Sequence, residues 1–180
     1  MTEYSYIRDG DRYFLLDGRK TNFRIREFRC KDGSDAVKVD AGLVRILQCM
    51  RDYFKKPVSV NSAYRTEAYN KKVGGASKSK HLYGMAADIR IEGVAPVTAA
   101  AYAESIGVKG IGLYGNFLHV DTRAEKYFWA DRSGNSVSTF GGSPIAGKVP
   151  ETAVMKQGSC GEDVVWLQQR LNAKGMNLEE

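Results

Sequence analysis

Two short segments hold both histidines of the chain, and they restrict its fold more than any other feature. The first runs Ser79-Lys80-His81-Leu82-Tyr83-Gly84-Met85-Ala86-Ala87-Asp88, the second Phe117-Leu118-His119-Val120-Asp121-Thr122. Residues 86–91 alternate like a strand, with Ala86, Asp88 and Arg90 on one face and Ala87, Ile89 and Ile91 on the other. The same period places Phe117, His119 and Asp121 on one face. If the two strands lie antiparallel and adjacent, Asp88 meets His119 across them, and Gly84 permits the tight path that keeps His81 close. Two imidazoles and a carboxylate fill three positions of a tetrahedral zinc site. The fourth is left for water, which separates a catalytic zinc from a structural one. Mixed imidazole and carboxylate ligation also favours zinc over other metals. The pattern therefore asks for a small sheet that holds each ligand rigidly.

The rest of the chain supplies elements around such a sheet. Residues 4–17 read as a hairpin, with Tyr4, Tyr6 and Ile7 before an Asp9-Gly10 turn and Tyr13 to Leu16 after it. Asp40 reads as the N-cap of a helix over residues 41–55, in which Leu43, Ile46, Leu47, Met50 and Phe54 recur at helical spacing. Pro57 closes that helix, and Val58-Ser59-Val60 reads as a strand. Thr66 caps a short helix over residues 67–73 that Gly74-Gly75 stops. Pro96 and Gly107 frame an alanine-rich helix, and Gly115-Asn116 joins strands over residues 110–114 and 117–122. The expected fold class is α+β, a small antiparallel sheet with flanking helices.

Composition shifts at Ser133, where Ser, Gly, Thr and Pro replace any periodicity, as in a linker. Beyond it, Val164, Leu167 and Leu171 form a stripe on one short helix that cannot bury its own apolar face. The chain thus divides into a hairpin extension (1–21), a central domain (22–132), a linker (133–153) and the opening of a further module (154–180). No apolar run approaches the ~20 residues of a membrane helix, and the N-terminus has no apolar h-region, so no secretory signal is visible. The net charge of +6 suits any polyanion: nucleic acid, an anionic membrane or an anionic cell wall. The cluster Lys71, Lys72, Lys78 and Lys80 reads as a solvated basic face, because no nucleic-acid fold signature accompanies it. Cys30, Cys49 and Cys160 are odd in number and lack C-x-x-C spacing, which argues against a disulfide framework.

Ser79-x-His81-x-x-Gly84-x-Ala86-x-Asp88 followed by His119-Val120-Asp121 resembles the zinc D-alanyl-D-alanine carboxypeptidase family, the peptidase M15 group. Asn61-Ser62-Ala63-Tyr64-Arg65-Thr66 matches its strand-to-helix entry, and the resemblance covers about residues 22–130. The segment from Gln157 resembles the start of a peptidoglycan-binding repeat. The family resemblance implies a hedgehog- and DD-peptidase-like sheet carrying the zinc. It implies hydrolysis of peptide bonds in bacterial peptidoglycan stem peptides, of the D,D-carboxypeptidase or murein endopeptidase type. Carried over by position, His81, Asp88 and His119 are the zinc ligands, and Arg65 contacts substrate or the developing oxyanion. Ser79 either binds substrate or caps its loop, and Tyr114 is a candidate substrate contact. The expected partner is the stem peptide, with neither nucleic acid nor membrane, and the chain is expected to be a monomer acting on the cell wall. A missing signal beside a targeting repeat also fits a phage or prophage lysin.

One position departs from the family. Several members carry Glu or Asp three residues before the final histidine as general base, and here that residue is Asn116, which cannot take a proton. Asp121 is the nearest substitute, read either as that base or as support for the site and partner of Arg123. Asn116 also leaves a second reading open, a wall-binding module with a zinc centre that does not turn over.

Overall fold

The structure is a computed structural model, and it describes residues 1–130 and 135–141. Its centre is a six-stranded sheet. The strands are β5 (Val58–Ser62), β6 (Ala86–Ile91), β7 (Gly110–Leu113), β8 (Leu118–Asp121), β9 (Tyr127–Ala130) and β10 (Asn135–Ser136), in the order β10-β9-β7-β8-β6-β5. All neighbours are antiparallel except β7 and β9, which run parallel. Helices α2 (Ala41–Phe54) and α4 (Pro96–Ser105) pack against one another and against this sheet. A second face of the sheet is thereby left for the site.

Each helix begins as its sequence dictates. Asp40 accepts a hydrogen bond from the Leu43 N–H at the start of α2, and Lys55 ends it in a left-handed conformation (φ 54°). The 3.6-residue stripe then buries Leu43, Leu47 and Met50 completely, each contributing roughly 1.5–3 kcal/mol. Tyr53 stacks on Tyr102 with ring centroids 3.9 Å apart, tying α2 to α4. Pro96 opens α4 at its first turn, where its missing N–H costs nothing. The short α3 (Glu67–Lys72) is capped by the Thr66 hydroxyl, which accepts from the Tyr69 N–H.

The N-terminal residues depart from the expected hairpin. Strand β1 (Thr2–Ser5) pairs with β4 (Ala36–Val39), and α1 (Tyr6–Asp9) follows it. Asp9-Gly10 closes that helical turn, because Ser5 Oγ caps it and the Asp9 carboxylate accepts from the Ser5 N–H. The hairpin is instead β2 (Tyr13–Leu16) with β3 (Arg19–Arg24), turning on Asp17 and Gly18, both at positive φ as a two-residue hairpin turn requires. Phe14, Phe23, Ile25 and Phe28 from this region lie in the same core as α2 and the sheet, so the residues before 22 are not an appendage to it.

Residues 135–141, within the stretch that reads as linker, also join the domain. Asn135 and Ser136 pair with β9, and the Phe140 ring lies 5.5 Å from that of Phe128. A two-residue edge strand needs no hydrophobic period, so composition does not reveal it. The expected remainder of the linker and the further module, residues 142–180, lie outside the described residues.

Candidate metal centre

The register of β6 and β8 pairs Asp88 directly with His119. Directly opposed residues on one face bring their side chains within contact distance. Asp88 Oδ1 lies 2.9 Å from His119 Nδ1. His81 comes from the 3₁₀ turn Lys80–Tyr83, and its Nε2 lies 3.3 Å from both Asp88 Oδ1 and His119 Nδ1. Gly84 makes this possible. It ends the turn at φ +66°, and a Cβ there would stand 2.2 Å from the Lys38 carbonyl oxygen. The Gly84 carbonyl in turn accepts from the Asp40 N–H, which locks the turn to the entry of α2.

Each imidazole is oriented by an outer hydrogen bond. His81 Nδ1–H donates to the Ala63 carbonyl at 2.6 Å, and His119 Nε2–H donates to Asp121 Oδ2 at 3.1 Å. The inner nitrogens, Nε2 of His81 and Nδ1 of His119, then face Asp88 as bare acceptors. Three donor atoms from His81, Asp88 and His119 lie within 4.8 Å of one another, all nine-tenths or more buried. Three lone pairs converging in a buried space favour a cation between them, so the residues fit the expected zinc.

The electrostatics of the chain point the same way. Burial works against the charged form of Asp88, but the two imidazoles beside it outweigh this and hold it well below the usual carboxylate range. For His81 burial dominates and lowers its value. For His119 burial also pulls downward, yet the Asp121 and Asp88 carboxylates outweigh it and raise the value. The two carboxylates thus make the cluster favourable for positive charge.

Arg65 and Arg123 stand behind the two carboxylates. Arg65 Nη2 donates to Asp88 Oδ2 at 2.6 Å and its Nε to Ser62 Oγ at 2.9 Å. Arg123 donates to Asp121 through Nη2 (2.6 Å) and Nε (2.8 Å), and its backbone N–H donates to the same carboxylate. Asp121 is fully buried, and the packing around it explains the glycines of β7. A Cβ on Gly110 would overlap Asp121 Oδ1 at 1.9 Å, and one on Gly112 would overlap the Trp129 ring.

A cavity of about 640 Å³ opens over the donors. Arg65, Ser79, His81, Asp88, Tyr114 and His119 all line it. Ser79 makes no side-chain capping bond, so the capping alternative for its hydroxyl is not realised. Tyr114 stacks on Phe117 and its hydroxyl accepts from Trp129 Nε1. Trp129, which no motif singles out, also reaches the site, its ring 5.0 Å from that of His119. The Gly110-x-Gly112 spacing was the one available signal, since a strand that alternates glycine leaves room for large groups on one face.

Two positions stand away from this cavity. Asp121 does not line it and acts on the outer nitrogen of His119. Asn116 lines a separate, smaller cavity with Arg90 and Leu118, and its backbone carbonyl accepts from Arg90 Nε. Asp88 is the single carboxylate among the described residues lining the larger cavity.

A His-Asp-His cluster of acceptor atoms, two on antiparallel strands and one on a 3₁₀ turn, opens to a cavity with an arginine at its edge, the donor set and setting that a metal-dependent hydrolase uses. The sequence profile described as peptidase M15 matches residues 21–121. The chain is 31% identical over 129 residues to the peptidoglycan L,D-endopeptidase MepK of Escherichia coli K12, covering 67% of this chain and 69% of that protein. The Shigella flexneri protein of the same name matches equally. Over 83 residues it is 39% identical to the zinc D-Ala-D-Ala carboxypeptidase of Streptomyces albus G, covering 41% of this chain and 32% of that protein. The chain belongs to the peptidase M15 family.

Proposed function

We propose that the chain is a zinc-dependent peptidase that cleaves peptide bonds in bacterial peptidoglycan stem peptides, as an endopeptidase. The observation that carries this is the convergence of His81 Nε2, Asp88 Oδ1 and His119 Nδ1 at the floor of an open cavity. The endopeptidase assignment draws on the longer match, to MepK. The likeness to a D-Ala-D-Ala carboxypeptidase supports removal of a terminal residue as the second reading. The site of action is the cell wall. No helix among the described residues is long and apolar enough to cross a membrane.

His81, Asp88 and His119 hold the metal, which when bound supplies a Lewis acid for the scissile carbonyl and brings the pKa of water to about 7. The remaining work falls to the side chains. Arg65 fixes Asp88 with one N–H and keeps further N–H groups for a carbonyl or carboxylate oxygen of the substrate. Tyr114, Phe117 and Trp129 form an aromatic wall that orients the peptide and excludes water. Asp121 is a positioning residue, holding His119 in the tautomer whose Nδ1 faces inward.

The test is mass spectrometry of purified peptidoglycan digested by the full chain with zinc and with a chelator. A new pair of amino and carboxyl ends inside a stem peptide or cross-link is the expected result. It should vanish with chelation and with His81→Ala. Release of terminal D-alanine alone favours the carboxypeptidase reading, and unchanged cleavage without metal rejects both.

A further inference from the structure

The lysine cluster found in the sequence borders a second cavity that the metal centre does not use. This cavity, about 700 Å³, shares Arg65, Gly74 and Gly75 with the one over the donors. The ridge between them beside Arg65 is therefore two glycines, with no side chain to block a chain lying across it. No heavy atom outside its chain neighbours lies within 4 Å of a Cβ placed on Gly74.

The lining of this second cavity is cationic. Lys38, Arg65 and Lys71 face Glu67 as its sole carboxylate among the described lining residues. Lys38 reaches Glu3 only at 3.7 Å, on a pair with both side chains a third or more exposed, so that pairing is weak. Lys71 is exposed and makes no ion pair among the described residues. Lys78 and Lys80 continue the positive charge along the neighbouring cavity. Asn70 supports the glycine ridge from below: its Nδ2 donates to the Ala76 carbonyl, its backbone carbonyl accepts from the Gly75 N–H, and its side-chain oxygen packs against Gly75.

We propose that this second cavity binds a carboxylate-bearing peptide strand, so that a cross-linked substrate runs through both cavities with its scissile bond over the metal centre. The inference rests on the peptidase reading and deepens it. Removal of one terminal residue requires an arm on one side of the bond, whereas an internal cut requires both. Stem peptides carry carboxylates along their length, which the lysines match by charge and Tyr64 and Tyr83 flank with aromatic surface.

The test uses a purified cross-linked stem-peptide dimer with three full-length proteins, the natural sequence, Lys71→Glu and Lys56→Glu. Lys56 is exposed, lies beyond α2 and lines neither cavity, so it controls for net charge. Hydrolysis is followed by mass spectrometry, and binding to the zinc-depleted proteins by calorimetry. Lys71→Glu should raise KM about fivefold with kcat nearly unchanged and weaken binding by a similar factor, while Lys56→Glu does neither. If Lys71→Glu behaves as Lys56→Glu does while the dimer is cut, the strand-binding cavity is rejected and the peptidase reading stands. If no protein cuts the dimer but Lys71→Glu still weakens its binding, the reverse holds. A dimer that is neither bound nor cut rejects both.

Discussion

Replacing Asp121 by Asn separates the two roles this residue can have. The carboxylate is fully buried and receives Nε2–H of His119 on Oδ2 and the Arg123 backbone N–H on Oδ1, with the guanidinium spanning both oxygens. Asn keeps the volume but turns one acceptor into an N–H₂ donor. Placed at Oδ1 it meets the Arg123 N–H and Nε–H; placed at Oδ2 it meets His119 Nε2–H and Arg123 Nη2–H. The second orientation pushes the His119 proton to Nδ1, the atom that faces Asp88. Loss of such an outer partner costs about 10- to 100-fold in metal affinity, or roughly 1.4–2.7 kcal/mol. Arg123 keeps 22% side-chain exposure, so its lost pairing adds less than the ~3–5 kcal/mol of a fully buried break. Competition with a chromophoric chelator measures zinc affinity, and kcat is then read at saturating zinc. Weaker zinc with activity largely restored by excess metal is the expected result. Unchanged affinity with kcat down by more than about 10³ would refute it and make Asp121 the base, since loss of a proton acceptor acts on chemistry and not on ligation.

Gly110→Ala places a methyl group on Asp121 Oδ1, so it should destabilise the fold by about 1–3 kcal/mol in thermal melts and weaken zinc as Asp121→Asn does; normal zinc affinity counts against the packing argument. Arg65→Ala removes the cation beside the donors and the clamp on Asp88, and kcat should fall about 10²–10³-fold; a change in KM alone would reassign it to ground-state binding. Asp9 is held well below the usual carboxylate range by hydrogen bonds from Arg8 and Arg12. A depressed carboxylate contributes stability above its unfolded value near 3.9, and this is lost as pH falls through the lower folded value. In chelator, the melting difference between the natural chain and Asp9→Asn should therefore hold level from pH 7 to about 4 and shrink as pH drops further toward 2; a difference constant across that lower range removes the argument.

Local chemistry made much of the fold legible. The Asp40 and Thr66 caps, the α2 stripe, Pro96 and the Gly115-Asn116 turn all act through residues within a few positions of one another, and each stands where its pattern places it. The alternation of β6 and β8 is likewise local, and it put Asp88 and His119 on usable faces. Failures came where a distant partner decides. Tyr4 lies opposite Val37 rather than the strand after Asp9, because β4 offers an edge that sequence proximity does not reveal. Asn135 and Ser136 carry no hydrophobic period, and only the edge of β9 makes them a strand.

The sequence by itself determined the donor set. Two imidazoles and a carboxylate in those two motifs, with Gly84 between His81 and Asp88, hold whatever the tertiary arrangement does to their surroundings. Tertiary structure decided what each neighbouring group acts upon. It set Asp121 on the far nitrogen of His119, turned Asn116 toward Arg90, and brought Trp129 to the wall through room left by Gly112. The physical reason is that residue type fixes which atoms can donate or accept, whereas the partner they meet is set by strand register and long-range packing, to which spacing along the chain is blind.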